Sequence, residues 1–260
     1  MLLEYEFFIQ IGLALAAAFL ICFVTTPLVK SFAERVGAID VPNDARRVHT
    51  RPIPRLGGLA IFLGFLLSVV LFGRIDREMQ GILLGCVVVV IVGVIDDIVP
   101  LPALLKFVVQ IIAALIAVSH GVEIKIISNP IFWAESEYLS FGVLSVPVSV
   151  LWIVAITNSV NLIDGLDGLA AGVSAISSFT MLVIAIVVAD VNVAILMAAL
   201  AGACVGFLPY NRNPAKIFMG DTGALLLGYV LATASIIGLF KFYAIITFVV
   251  PLLVVGLPLF

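Results

Sequence analysis

The sequence predicts an all-α fold: a polytopic membrane helix bundle, with residues 1–260 forming a single integral membrane domain. Three observations carry this. Hydrophobic residues make up 63% of the chain and charged residues 11%, against about 45–50% and 25% in soluble domains. Mean hydropathy is +1.31. Apolar runs near the ~20 residues that a spanning helix needs follow one another with little sequence between them.

Nine spans are expected, at about 7–29, 56–73, 80–98, 102–118, 143–160, 168–188, 192–209, 223–240 and 242–260. The first carries Glu4 and Glu6 where a secretory signal would carry Lys or Arg. It is also long enough to span, so it is read as a retained helix. The last is still apolar at Phe260, which predicts that the chain continues in its parent and is C-terminally truncated here. Val-Glu-Ile-Lys-Ile-Ile within 119–142 alternates as a short outer hairpin would. Cys22, Cys86 and Cys204 lie far apart in apolar runs and read as small buried hydrophobes. Their spacing suggests neither a disulfide framework nor a zinc site. A net charge of −3 gives no basis for nucleic-acid binding.

Orientation follows from Lys and Arg. The first loop holds six of the thirteen: Lys30, Arg35, Arg46, Arg47, Arg51 and Arg55. This places it in the cytoplasm and the N-terminus outside. Odd loops then face inward with eight Lys/Arg, the six plus Arg212 and Lys216. Even loops face outward with four, namely Arg74, Arg77, Lys125 and Lys241. By the same parity Asp96-Asp97, the stretch from Asn158 to Asp167 and the stretch from Asn211 to Asp221 all fall at the cytoplasmic face.

The stretch Asn158-Ser-Val-Asn-Leu-Ile-Asp-Gly-Leu-Asp-Gly-Leu169 sets two amides and two carboxylates into an otherwise apolar chain. Asn158, Asn161, Asp164 and Asp167 recur every three residues. A 3₁₀ turn would stack all four on one face; an α-helix would let only neighbours in the series share one. Gly165 and Gly168 predict a helix that opens into a turn. Polar groups converging there suit a metal and a phosphate, and a lipid-facing helix does not tolerate them.

Asp96 and Asp97 are either a solvated helix-end pair or a site for a cation or shared proton. Lys106 either snorkels to the interface or faces the acids and a bound phosphate as a point charge. Asp221, in Asn211-Arg-Asn-Pro-Ala-Lys-Ile-Phe-Met-Gly-Asp-Thr-Gly, is either a helix cap or a metal ligand. Mg²⁺ takes few protein carboxylates and keeps its other positions for water and substrate phosphate. Gly220 and Gly223 would admit an anion close to the backbone. In the first loop the basic groups Arg46, Arg47, Arg51 and Arg55 suit anionic lipid head groups, and His49 amid Arg46, Arg47 and Arg51 suits a phosphate.

Together these motifs resemble the polyprenyl-phosphate N-acetylhexosamine-1-phosphate transferases, above all Asn158–Leu169 taken with Phe218-Met-Gly-Asp-Thr-Gly. The similarity runs from the Arg47–Gly58 loop to Gly228. It is nearest the branch that loads GlcNAc-1-phosphate onto undecaprenyl phosphate; the phospho-MurNAc-pentapeptide transferases share the superfamily. Pro100 stands where the pentapeptide branch has Lys, and Ala224 where the family often has Ser. The family's His-rich cytoplasmic loop would follow Phe260. The resemblance implies a plasma-membrane enzyme that takes a UDP-sugar and a polyprenyl phosphate lipid, with Mg²⁺ or alternatively Mn²⁺, and copies that pair as a homodimer. It implies Asp221 as the magnesium ligand with Asn161 as second contact. Asp96 and Asp97 match a pair assigned to lipid-phosphate activation or the metal, and Asp164 and Asp167 the central carboxylates. Lys106, Asn158 and Asn211 match positions lining the nucleotide-sugar and phosphate site; Arg47 and His49 are counted with them for binding substrate. Two rival classes are a transporter, whose acids belong mid-span, and an intramembrane aspartyl protease, which needs two carboxylates sharing a site.

Overall fold

A computed structural model describes residues 2–42, 51–128 and 138–238. Eight α-helices make up nearly all of it: α1 Leu2–Val36, α2 Gly57–Phe72, α3 Arg77–Ile98, α4 Ala103–Ser119, α5 Ser145–Ile163, α6 Leu169–Val188, α7 Val191–Asn211 and α8 Gly220–Gly238. Each coincides with one of the first eight apolar segments of the sequence. The expected ninth, 242–260, lies outside the described residues. Six helices are long and apolar enough to cross a membrane. The other two, α2 and α4, have 16 and 17 residues, about 24–26 Å of helix against a hydrocarbon core of about 30 Å. The expected nine spans are thus six of full length plus two shorter apolar helices among the described residues.

Two antiparallel ribbons complete the fold. β1 (Ile39–Asp40) pairs with β2 (Ile53–Pro54) in the first loop. β3 (Ile126–Ser128) pairs with β4 (Tyr138–Ser140) at the opposite end, where the alternating residues predict a hairpin.

The bundle is organised around α7 and α8. Fifteen residues of each are buried. α7 packs against α1, α2 and α6, and α8 against α2, α3 and α5. Both are rich in Gly and Ala, which lets helices approach closely where lipid supplies no hydrophobic drive. A Cβ at Gly202 would lie 2.2 Å from the Leu15 carbonyl oxygen, and one at Gly206 2.5 Å from that of Phe19. Polar side chains bond across helices: Ser68 Oγ donates to the Ala14 carbonyl at 2.6 Å and Trp152 Nε1 to Ser235 Oγ at 2.8 Å. Large apolar side chains such as Leu71, Leu104, Leu151 and Val187 point outward, as a lipid-facing surface requires.

Helix backbones also meet closely around the start of α8. A Cβ at Gly58 would sit 2.0 Å from the Gly223 nitrogen, and one at Gly93 2.4 Å from the Thr222 Cα. α2, α3 and α8 therefore meet backbone to backbone. The Gly57 and Gly58 N–H groups donate to the Phe218 and Met219 carbonyls at 2.9 and 2.8 Å, so the first turn of α2 is satisfied by the segment leading into α8. Gly58→Ala forces that contact apart. Its melting temperature in detergent should fall well below wild type, an overpacking cost of about 1–3 kcal/mol or more. Gly12→Ala, whose Cβ meets nothing within 4 Å, should melt at or slightly above wild type. Equal melting of the two variants would refute this account.

Candidate active site

The ends of consecutive helices alternate, and the C-termini of α3, α5 and α7 meet the N-termini of α4, α6 and α8 at one end of the bundle. A cavity of about 970 Å³ opens there. Its walls include the end of α1 (Lys30, Glu34), the first loop, the α5–α6 turn and the segment before α8.

α5 remains helical to Ile163, and Asp164 caps it. Gly168 has φ +74°, so the chain turns there and α6 follows at Leu169. Asn158 and Asn161 thus stand on an α-helix rather than a 3₁₀ turn, and the four polar residues do not share one face. Asn161, Asp164 and Asp167 line the cavity. Asn158, one turn deeper, forms a reciprocal amide pair with Gln110 of α4 and donates to the Val154 carbonyl at 2.8 Å. The signal for this was present: Gln110 follows Lys106 by four residues, on the same face of α4.

The adjacent acids of α3 point to different partners. Asp96 Oδ1 accepts the Leu101 N–H at 2.7 Å, which fixes the turn into α4, and Oδ2 accepts from Lys106 Nζ at 3.1 Å. The same Nζ donates to Asp221 Oδ2 at 2.9 Å. Lys106 therefore bridges two carboxylates and does not snorkel away from them. Asp97 is 4% exposed. Its Oδ1 accepts the Asp221 N–H at 3.0 Å and Arg55 Nε at 3.2 Å. Its Oδ2 accepts the Thr222 N–H at 3.1 Å and the Thr222 hydroxyl at 2.6 Å.

Asp97 thus caps α8 from another helix, supplying an acceptor and a negative charge where the first N–H groups have no intrahelical partner. α8 begins at Gly220, and its cap is Asp97 rather than Asp221. Gly220 has φ +67°, and a Cβ there would lie 2.3 Å from Asp97 Oδ2. The anion that this glycine admits is Asp97's own carboxylate. Gly223 is met by the α2 backbone instead.

Two further residues fasten the loops. Asn211, 3% exposed, accepts the Gly168 N–H at 3.1 Å and donates to the Ile217 carbonyl at 3.0 Å. Asp167 Oδ2 accepts from Asn213 Nδ2 at 3.1 Å and from the Ala215 N–H at 2.9 Å. Together they lock the α5–α6 turn to the segment before α8.

What faces the open cavity is Asn161, Asp164 and Asp221, with Arg55, Arg51 and Lys216 on the surrounding wall. The Asn161 amide approaches the Asp221 carboxylate. Burial, reinforced by the charges of Asp221 and Asp97, pushes the Asp164 carboxyl well above its usual range. Among the described residues no group of three or more His, Cys, Asp or Glu side chains is arranged to enclose a metal ion. The donor set still suits a hard cation that takes one or two carboxylates and fills its other positions with water and phosphate. Asp221 and Asn161 are oxygen donors on a cavity wide enough for both. Arg47 and His49 lie outside the described residues. Thr222 was not singled out from the sequence, and Arg55 only as one of the first loop's basic groups, although it directly precedes Leu-Gly-Gly, where α2 starts.

Residues 79–239 match the model of glycosyl transferase family 4. The chain belongs to this family. It is 40% identical over 256 residues to the probable undecaprenyl-phosphate N-acetylglucosaminyl 1-phosphate transferase of Bacillus subtilis, covering 98% of this chain and 70% of that protein. It is 38% identical over 238 residues to the decaprenyl-phosphate N-acetylglucosaminephosphotransferase of Mycobacterium tuberculosis, covering 85% of this chain and 58% of that one. A phospho-N-acetylmuramoyl-pentapeptide-transferase of Thermoanaerobacter is 32% identical over 239 residues, covering 88% and 75%. The family match and the apolar helices together make this a multi-pass membrane protein of a transferase family.

The Asp164 environment has a measurable consequence. Its folded-state pKa lies above the unfolded one, so the folded state binds the proton more tightly. Stability contributed by this group is then present in acid and is lost as pH rises through the folded pKa. Asp164→Asn should melt above wild type near neutral pH, and the gap should close below about pH 4. A gap that does not change with pH would contradict the assignment.

Proposed function

We propose that this protein transfers a sugar-1-phosphate, GlcNAc-1-phosphate, from a UDP-sugar to undecaprenyl phosphate and releases UMP, at the cytoplasmic face of the plasma membrane. The single observation that carries the reading is the convergence of four separate helix ends on one cavity: Asn161, Asp164 and Asp221 line it, while Asp96, Asp97 and Lys106 hold Asp221 and the start of α8 from behind. Two of the relatives are named for transfer of an N-acetylglucosamine phosphate to a polyprenyl phosphate, which favours this branch over the pentapeptide one. Pro100, where the pentapeptide branch has Lys, points the same way.

The cytoplasmic placement rests on charge. The end of the bundle that bears the cavity also bears Lys30, Arg35, Arg51, Arg55, Arg212 and Lys216 among the described residues, and positively charged loops stay inside. The N-terminus then lies outside, since α1 ends at the cavity. Eight helices of alternating direction agree with eight crossings, α2 and α4 being short.

The chemistry asks little covalent work of the protein. An oxygen of the lipid phosphate attacks the β-phosphorus of the UDP-sugar. The bond from that phosphorus to the bridging oxygen breaks, and UMP departs with the oxygen. A pyrophosphate linkage is lost and another made, so the reaction is close to reversible. Mg²⁺, held by Asp221 with Asn161, would supply charge neutralisation on the transferring group. Lys106 holds Asp221 in position and adds a positive charge next to it. Asp97 keeps the first turn of α8, and so Asp221, in place. Asp164 stays protonated more readily than an ordinary carboxyl and thereby limits the negative charge that a phosphate must approach. The lipid phosphate is largely ionised near neutrality, so general base catalysis contributes little.

Asp221→Asn, in membranes otherwise intact, should lower UMP release by at least about a hundredfold, on the scale of losing one electrostatic contact to a transition state. Near-normal release would reject the role of Asp221. With wild-type protein, UDP-GlcNAc should outcompete the muramyl-pentapeptide nucleotide; the reverse order would assign it to the pentapeptide branch. Uptake of a solute without UMP formation would favour a transporter.

A further inference from the structure

We propose that Arg55 is a phosphate-binding residue of this site and that Asp97 is the positioning residue that holds it ready; the assignment rests on the transferase reading above. Arg55 ends the first loop, next to the Leu56 that precedes α2. Its backbone is pinned on two sides. Its N–H donates to the Ala38 carbonyl at 2.9 Å, and it forms a parallel bridge with Phe218. Its side chain is pinned as well, Nε donating to Asp97 Oδ1 at 3.2 Å.

The guanidinium has five N–H donors in a flat fork. Among the described residues Nε alone is engaged, on Asp97, and Arg55 borders the cavity beside Asn161, Asp164 and Asp221. The terminal amino groups are thus the part of the fork offered to a ligand, and two of them match two oxygens of a phosphate. Asp97 offsets part of this charge but occupies Nε alone, its other hydrogen bonds coming from Asp221 and Thr222.

The other charged groups of the site are less well placed to hold a phosphate. Asp164 and Asp221 are acids, and Lys106 is engaged by two carboxylates. Arg51 and Lys216 line the same cavity but are exposed, where a charge is screened and its side chain costs entropy to order. Arg55, with its side chain 27% exposed, has both its backbone and its side chain fixed before the ligand arrives.

A phosphate on Arg55 comes from one of two sources, the nucleotide diphosphate or the lipid. Initial rates of UMP release by the intact protein in membranes, with UDP-GlcNAc and undecaprenyl phosphate varied separately, distinguish them. Arg55→Gln should raise the KM of one substrate at least about tenfold, on the scale of one charge-assisted contact. Arg55→Lys, which keeps the charge and loses the fork, should restore only part of that. A raised KM for the nucleotide assigns the diphosphate, and a raised KM for the lipid assigns its head group. Binding of UDP, read as the shift it causes in melting temperature, needs no turnover. Loss of that shift in Arg55→Gln with the shift retained in wild type supports the nucleotide assignment even if the transferase reading fails. If wild type turns over and both variants, folded by their melting curves, keep both KM values within twofold and the UDP shift, Arg55 is a structural partner of Asp97 alone and the proposal is overturned.

Discussion

A carboxylate with almost no solvent contact sits where three elements of this protein meet. An isolated charge in so dry a place would cost several kcal/mol. Asp97 avoids that by accepting from two backbone N–H groups of α8, one hydroxyl and one guanidinium. The charge also matches the positive end of the helix it caps. None of these donors can leave without exposing the others to a buried, unsatisfied partner. The end of α3, the first turn of α8 and the strand before α2 therefore behave as one piece.

The glycines around this point follow from the same constraint. α8 comes near enough to Asp97 only if Gly220 lacks a side chain. It comes near enough to α2 and α3 only if Gly58 and Gly93 do. The tight packing is also a condition of the chemistry. Asp221 is the residue after Gly220, so its carboxylate is placed by a backbone that Asp97 holds. Asn211 and Asp167 do for the α5–α6 turn what Asp97 does for α8. Polar residues at the site thus divide in two. Asp97, Asp167, Asn211 and Asn158 spend their hydrogen bonds on holding helices and loops together. Asn161, Asp164 and Asp221 face the cavity, and Lys106 with Asp96 braces Asp221 from behind.

Long α1 belongs to the same arrangement. At 35 residues it exceeds what a bilayer core requires, about 20 residues, and the excess carries Lys30 and Glu34 past the membrane to the cavity rim. The first loop then returns through β1 and β2 to place Arg55 between Asp97 and the open space. The rim is therefore built from the chain's first quarter and its last described quarter, and the acidic wall joins Asp164 from the middle to Asp221 near the end.

Much was legible in the residues alone. Hydropathy located all eight described helices, because in a membrane a segment must satisfy its backbone internally and be apolar over most of its length. Charge parity put the three polar motifs at one end, since alternation of spans leaves no other arrangement. Spacing marked Asn158, Asn161, Asp164 and Asp167 as a group, and the family resemblance joined Asp221 to Asn161. Tertiary structure decided the rest. Asp96 and Asp97 are chemically alike and adjacent, yet one turns toward Lys106 and the other toward α8; no local rule separates them, as the choice depends on which helix lies across from each. Asn158 and Asn161 are likewise one amide type on one helix, and rotation by less than a full turn sends the first to Gln110 and the second to the cavity. Hydrophobic length determines where helices are, while the assignment of a polar group to scaffold or to chemistry awaits the partner that packing brings to it.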